Sequence, residues 1–162
     1  MLSKTDFAVD EWGELLAAPL MAAMAVTAAD PSGLLGLIKE NFASAKALIA
    51  AKQTSANELI KALIADLETS EGRAAARAAV QSRFAEHKPD QIKPRAIEAL
   101  RQAVTIAGQK APAEAAGFKA WLRDVAKTVS EASSEGGFMG MGGVAVSEAE
   151  KATLAEIEQA LT

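Results

Sequence analysis

The first candidates for chemistry are acidic side chains near the start of the chain. Asp6, Asp10 and Glu14 follow one another at intervals of four residues, which places them on one face if this stretch is helical. Carboxylate oxygens in such a row could bind a hard cation. A di-iron bundle would also need Glu-x-x-His pairs, and Phe84 stands three positions before His87. We interpret the row as a solvated face that matches a helix dipole, and a carboxylate-based metal-binding or enzymatic bundle stays as the alternative.

The single histidine, His87, is followed by Lys88 and Pro89. Because the residue before a proline avoids the helical conformation, a helix is expected to end here, with His87 in its last turn. Neither a phosphotransfer histidine in mid-helix nor a Ser-His-Asp triad is therefore expected. The chain has no cysteine, which excludes a thiol nucleophile, a thiolate metal site and disulfides. We predict no catalytic residue, no metal ligand and no cofactor.

Basic side chains concentrate in the middle of the chain. They are Arg73, Arg77, Arg83, Lys93, Arg95 and Arg101. Nucleic-acid surfaces usually combine such charges with stacking aromatic rings, and Phe84 is the one aromatic residue among them. The net charge of the chain is −4, which also argues against a nucleic-acid partner. We interpret this group as a solvated helix face.

The most unusual segment is rich in glycine and precedes the last predicted helix. It consists of Gly136, Gly137, Phe138, Met139, Gly140, Met141, Gly142 and Gly143. A helix N-terminus after it could bind an anion, but the segment lacks the Gly-Lys-Ser/Thr of a phosphate loop, and Ala145 stands where a dinucleotide fingerprint needs glycine. Phe and Met side chains adapt to irregular apolar surfaces. Two interpretations stay open: a hinge that docks the last helix, and a flap that contacts a protein partner or a small apolar ligand.

The composition predicts the fold class. Alanine is the commonest residue, tyrosine is absent, and aromatic residues make up 4% of the chain. Because alanine favours helices over strands, most β-sandwiches and barrels are excluded. The length of 162 residues favours a single domain over residues 1–162. We predict a compact all-α bundle of six or seven helices. By apolar periodicity these cover about residues 5–28, 31–49, 56–67, 73–86, 94–108, 112–135 and 148–161.

Caps and glycines predict where these helices begin and end. Ser55-x-x-Glu58 forms a capping box for the third helix. Gly72 is expected to separate the third helix from the fourth, and Gly108 to end the fifth. The sixth helix carries an apolar stripe of Phe118, Trp121, Leu122, Val125 and Val129. We expect Trp121 to be buried in this stripe.

Residues 15–29 carry no charge and include Pro19. This run is too short to span a bilayer, which needs about 20 residues. Lys4 is the one basic residue before it, whereas a signal peptide needs a basic start. We therefore expect a buried helix, kinked or broken at Pro19, in a cytoplasmic protein without a membrane span.

Two stretches resemble a known family. The first, within residues 12–40, reads WGELLAAP at 12–19 and AADPSG at 28–33. The second, within residues 118–150, reads FKAWL at 118–122, EGGF at 135–138 and GGVAVS at 142–147. Together they resemble an all-helical family of uncharacterised bacterial proteins, which implies a bacterial cytoplasmic protein and no particular activity. A looser similarity links the chain to the TerB-like tellurite-resistance fold, whose acidic metal-site pattern does not map onto these residues.

The function that the sequence favours is non-enzymatic. We expect a helical interaction or small-ligand module, with a stress-related role, that uses the glycine-rich segment as its contact. The partner would be a protein or a small apolar ligand. Because alanine-rich faces bury little apolar area per residue, assembly into a homo-oligomer would also add stability.

Overall fold

The computed structural model describes residues 2–29, 56–86, 88–135 and 148–162. Within these ranges it is built of helices and contains no strand, which confirms the all-α prediction. The helices are α1 (Val9–Ala28), α2 (Glu58–Leu67), α3 (Ser70–Phe84), α4 (Ile92–Lys110), α5 (Pro112–Glu135) and α6 (Glu148–Leu161). Short 3₁₀ turns, Lys4–Asp6 and Pro89–Gln91, precede α1 and α4. The helix predicted over 31–49 lies outside the described residues.

Helix α1 lies at the centre of the bundle. It packs against α3, α4 and α5 and also contacts α2 and α6. The uncharged run predicted this burial, because from Leu15 to Val26 nearly every side chain is shielded from solvent. Its fully buried residues include small ones such as Ala18 and Ala22, which leave room for neighbouring helices. Among the described helices, none combines the length and apolar character that crossing a membrane requires.

The first helix begins later than predicted and is not interrupted. Phe7 is extended, with φ −123° and ψ 154°, and its buried ring separates the 3₁₀ turn from α1. The helix then starts at Val9 rather than Thr5, and the carboxylate of Glu11 accepts the N–H of Ala8 at 2.8 Å. Pro19 does not break the helix, which continues through it to Ala28. The proline is itself buried, so packing around the central helix compensates for the lost backbone donor.

The predicted start of α2 is wrong by two residues. The cap is Asn57, whose Oδ1 accepts the N–H of Ile60 at 3.0 Å. Asparagine caps helices as well as serine does, and its position directly before the helix lets its side chain reach the third amide. Ser55 lies outside the described residues.

Two glycines that were predicted to mark helix boundaries, Gly72 and Gly108, lie within helices. Gly72 is in the first turn of α3, which is capped by Thr69, and Glu68 and Thr69 alone connect α2 to α3. Gly108 lies within α4, which continues to Lys110. Glycine in a helix interior costs only about 1 kcal/mol, which favourable packing on the buried face of a helix overcomes.

The apolar stripes predicted for the later helices form the core. Phe118, Trp121, Leu122, Val125 and Val129 of α5 are all buried, and Trp121 is 6% exposed. Ile157 and Leu161 of α6 are buried against α4 and α5. For α5 and α6, the periodicity therefore identified correctly which face turns inward.

Candidate functional site

The glycine-rich segment predicted as the contact site, Gly136–Gly143, lies outside the described residues. The structure describes the two helices that the segment joins: α5, which ends at Glu135, and α6, which begins at Glu148. His87 also lies outside the described residues. The contact predicted for the glycine-rich segment therefore stays a prediction. The expectation that α3 extends to include His87 in its last turn is wrong, because α3 ends at Phe84 and is followed by its C-cap, Ala85.

The acidic row near the start of the chain does not form a cluster. Asp6 lies in the 3₁₀ turn before α1, where its Oδ2 accepts the N–H of Ser3 at 2.8 Å. Asp10 is exposed, and Glu14 is paired with Arg83. In the part of the chain that the structure describes, no three Asp, Glu or His side chains come close enough together to hold a metal ion. Asp6 and Glu14 thus make separate local contacts, and Asp10 faces solvent.

Glu14, Arg83 and Gln102 form a polar cluster that joins three helices. The Nη2 and Nε of Arg83 lie 2.9 Å and 3.1 Å from the same carboxylate oxygen of Glu14. Nη2 also donates to the amide oxygen of Gln102. The side chains of Arg83 and Glu14 are only 18% and 19% exposed, so solvent screens this pair less than an exposed surface pair. The cluster ties the end of α3 to α1 and α4.

The other basic residues are mostly engaged by the protein itself. Arg73 donates to the carbonyl oxygens of Leu67 and Glu68, at the C-terminal end of α2. Lys93 pairs with Glu156 at 2.8 Å, which links α4 to α6. These guanidinium and ammonium groups therefore stabilise helix ends and helix pairs.

The indole of Trp12 anchors α1 to the end of α2. Its Nε1 donates to Oδ2 of Asp66 at 2.8 Å, and its ring lies 5.2 Å from that of Phe7. Asp66 also stabilises the α2–α3 corner, the two-residue connection Glu68–Thr69. Its carbonyl oxygen accepts hydrogen bonds from the hydroxyl and the N–H of Thr69 at 2.6 Å and 2.9 Å. The sequence contained no local signal for a pair 54 residues apart.

The start of α2 docks on the first turns of α5. The Nδ2 of Asn57 donates to the carbonyl oxygen of Glu114 at 2.8 Å, and the N–H of Glu58 donates to the Glu114 carboxylate at 2.9 Å. Gly117 makes this possible, because a Cβ there would lie 2.4 Å from Nδ2 of Asn57. One carboxylate from α5 thus satisfies a free amide at the start of another helix.

Trp121 differs from Trp12 in its polar environment. Both indoles are 6% exposed, and Trp121 packs on Phe118 with ring centroids 6.0 Å apart. The Nε1 of Trp121 is buried and finds no hydrogen-bond partner among the described residues. Within the described part of the chain, the Trp121 side chain therefore contributes apolar packing and no hydrogen bond.

Comparison with known proteins yields no match: no family model, no curated protein and no solved structure is similar to this chain.

Proposed function

We propose that this protein is a non-enzymatic helical module that binds a protein partner or a small apolar ligand through Phe138, Met139 and Met141. The observation that supports the proposal is the composition of the segment between α5 and α6, which carries three large apolar side chains among five glycines. In the described helices, most large apolar side chains are buried or partly buried against one another, and Val9 is 93% exposed.

This composition suits a contact surface. A linker that only joins two helices would normally use serine, asparagine or charged residues. Methionine adapts its shape to irregular apolar surfaces, and phenylalanine supplies a large contact area at low rotamer cost. In free protein, these side chains would rest on a groove between helices, and a ligand or partner would compete for that apolar surface.

Three acidic residues of the described helices make structural contacts, which supports a binding role over a catalytic one. Glu14 and Arg83 neutralise each other, Asp66 holds Trp12, and Glu114 caps α2. Each of these groups is already engaged in holding helices together. A bacterial cytoplasmic setting, which the family resemblance implies, and a stress-related role are both part of the proposal.

A hydrophobic dye and hydrogen exchange test the proposal together. Phe138→Ser removes the largest apolar side chain of the segment, and Val9→Ser is the control, since it removes an exposed apolar side chain elsewhere. We expect Phe138→Ser to increase dye binding and to raise the exchange rates of α6 amides by about tenfold, as a local opening does, while α2 amides stay unchanged. Val9→Ser should do neither.

The segment would be only a linker if Phe138→Ser behaved like Val9→Ser in both measurements. The alternative, a carboxylate-based metal-binding or enzymatic bundle, would gain support from stoichiometric metal in the purified protein that is lost in Asp10→Asn.

A further inference from the structure

Helix α3 is attached to the bundle differently from its neighbours. Its buried residues are Gly72 and Ala76, and Ala75, Ala79, Val80 and Phe84 are only partly buried against the core. Opposite it, α1 presents Gly13, whose Cβ position would lie 3.8 Å from Ala79 and 3.9 Å from the carbonyl oxygen of Ala75. Helices that meet through such small side chains approach closely but remove little apolar area from water. The contact of α3 with α1 is therefore weak for its length.

The two ends of α3 are held by different interactions. At the first end, the hydroxyl of Thr69 accepts the N–H of Gly72 at 2.9 Å and donates to the carbonyl oxygen of Asp66. Arg73 donates to the carbonyl oxygens of Leu67, the last residue of α2, and of Glu68, its C-cap. That end is fixed by a network of bonds within the α2–α3 corner. At the other end, Arg83 holds α3 to its neighbours by donating hydrogen bonds to Glu14 of α1 and Gln102 of α4.

We propose that α3 is a strap, fixed at its Thr69 end and fastened at its other end by Arg83, which opens locally from the Arg83 end while the rest of the bundle stays folded. Opening separates Arg83 from Glu14 and hydrates both charges, which offsets much of the lost attraction. It also exposes the side of α1 that carries Gly13. Opening uncovers alanine side chains together with Val80 and Phe84, which are already partly exposed in the closed state.

Native-state hydrogen exchange of the full chain tests the strap. In the wild-type protein, amides in the second half of α3 should exchange faster than those of α1, α4 and α5. Arg83→Gln should raise the α3 rates by about tenfold, as expected for losing one partner of a shielded pair, and change the α4 and α5 rates by less than about twofold. Arg77→Gln is the matched control, because Arg77 lies on the same helix and is exposed.

Two further measurements test the local opening of α3 if the Arg83→Gln variant is too unstable to study. The charge-swapped double variant Glu14→Arg, Arg83→Glu should restore at least part of the α3 protection. High salt should accelerate exchange at the Arg83 end of α3 more than at the Thr69 end, because it screens the pair. The strap is refuted if α3, α4 and α5 amides exchange at one common rate that Arg83→Gln changes equally, since opening is then global.

Discussion

Replacing Gly72 with alanine should destabilise the protein, although alanine is the better helix former. A Cβ on Gly72 would lie 2.1 Å from the carbonyl oxygen and 2.5 Å from the carbonyl carbon of Asp66. These are backbone atoms, so no side-chain rotation relieves the overlap. The α2–α3 corner would have to open by more than an ångström before the contact reached an ordinary distance.

The energetic cost follows from what this opening disturbs. Forcing a methyl group into a packed site costs about 1–3 kcal/mol. The same Asp66 carbonyl accepts two bonds from Thr69, and each bond contributes about 1 kcal/mol. The gain in helix propensity returns at most about 1 kcal/mol, and less in a first turn. We therefore expect Gly72→Ala to lower the free energy of unfolding by about 2–3 kcal/mol.

Urea unfolding followed by circular dichroism measures the effect, and two other glycines are its controls. Gly108 lies within α4 with nothing within 4 Å of its Cβ position, so Gly108→Ala should stabilise the protein by about 0.5–1 kcal/mol. Gly13 would make only an ordinary contact with Ala79, so Gly13→Ala should be tolerated. If Gly72→Ala were as stable as Gly108→Ala, the close approach of the corner would be refuted.

Two predictions concern the tryptophans. Trp121→Ala should cost about 3–5 kcal/mol, the range for a large core side chain, and a loss under about 1 kcal/mol in urea unfolding would show that its stripe is not core. Trp12→Phe should cost about 1–2 kcal/mol more than Trp121→Phe, because the two indoles are equally buried, at 6%, but only that of Trp12 donates to a carboxylate among the described residues. Equal costs for the two Phe variants would mean that the bond to Asp66 contributes nothing.

The helix faces could be predicted because they follow from local spacing. Phe118, Leu122 and Val129 recur at the helical period. Burying such a stripe fixes the rotation of the helix about its own axis. The burial of α1 could also be predicted from the local sequence, because residues 15–29 carry no charge that could face water. Neither inference needs knowledge of which helices are neighbours.

The helix ends were harder to predict because glycine has more than one use. In a sequence, Gly72 and Gly108 look like helix breaks. In the structure, Gly72 is required by the approach of Asp66, and Gly117 by that of Asn57. Both are contacts between different helices, and how closely two helices approach does not follow from the spacing of residues within either one.

Which charged residues pair with one another could not be predicted from the sequence either. Glu14 looked like one member of an acidic row and Arg83 like one member of a basic group, but the fold brings the two together across 69 residues. Charge pattern alone does not select a partner among several candidates on each side. For the glycine-rich segment, the sequence supplies the whole argument, and Gly136–Gly143 stay a prediction.

The position of the polar contacts explains how an alanine-rich bundle selects one packing arrangement. Flat faces of small side chains, such as those of α1 and α3, allow neighbouring helices to slide with little change in buried area. Asn57 with Glu114, Trp12 with Asp66 and Arg83 with Glu14 each lie near the end of a helix, where a small slide would break the contact. A partly buried polar group that loses its partner costs more than a bond contributes, so these contacts penalise incorrect registers more strongly than they stabilise the correct one. The apolar stripes therefore determine which faces turn inward, and the polar contacts determine how the helices align along one another.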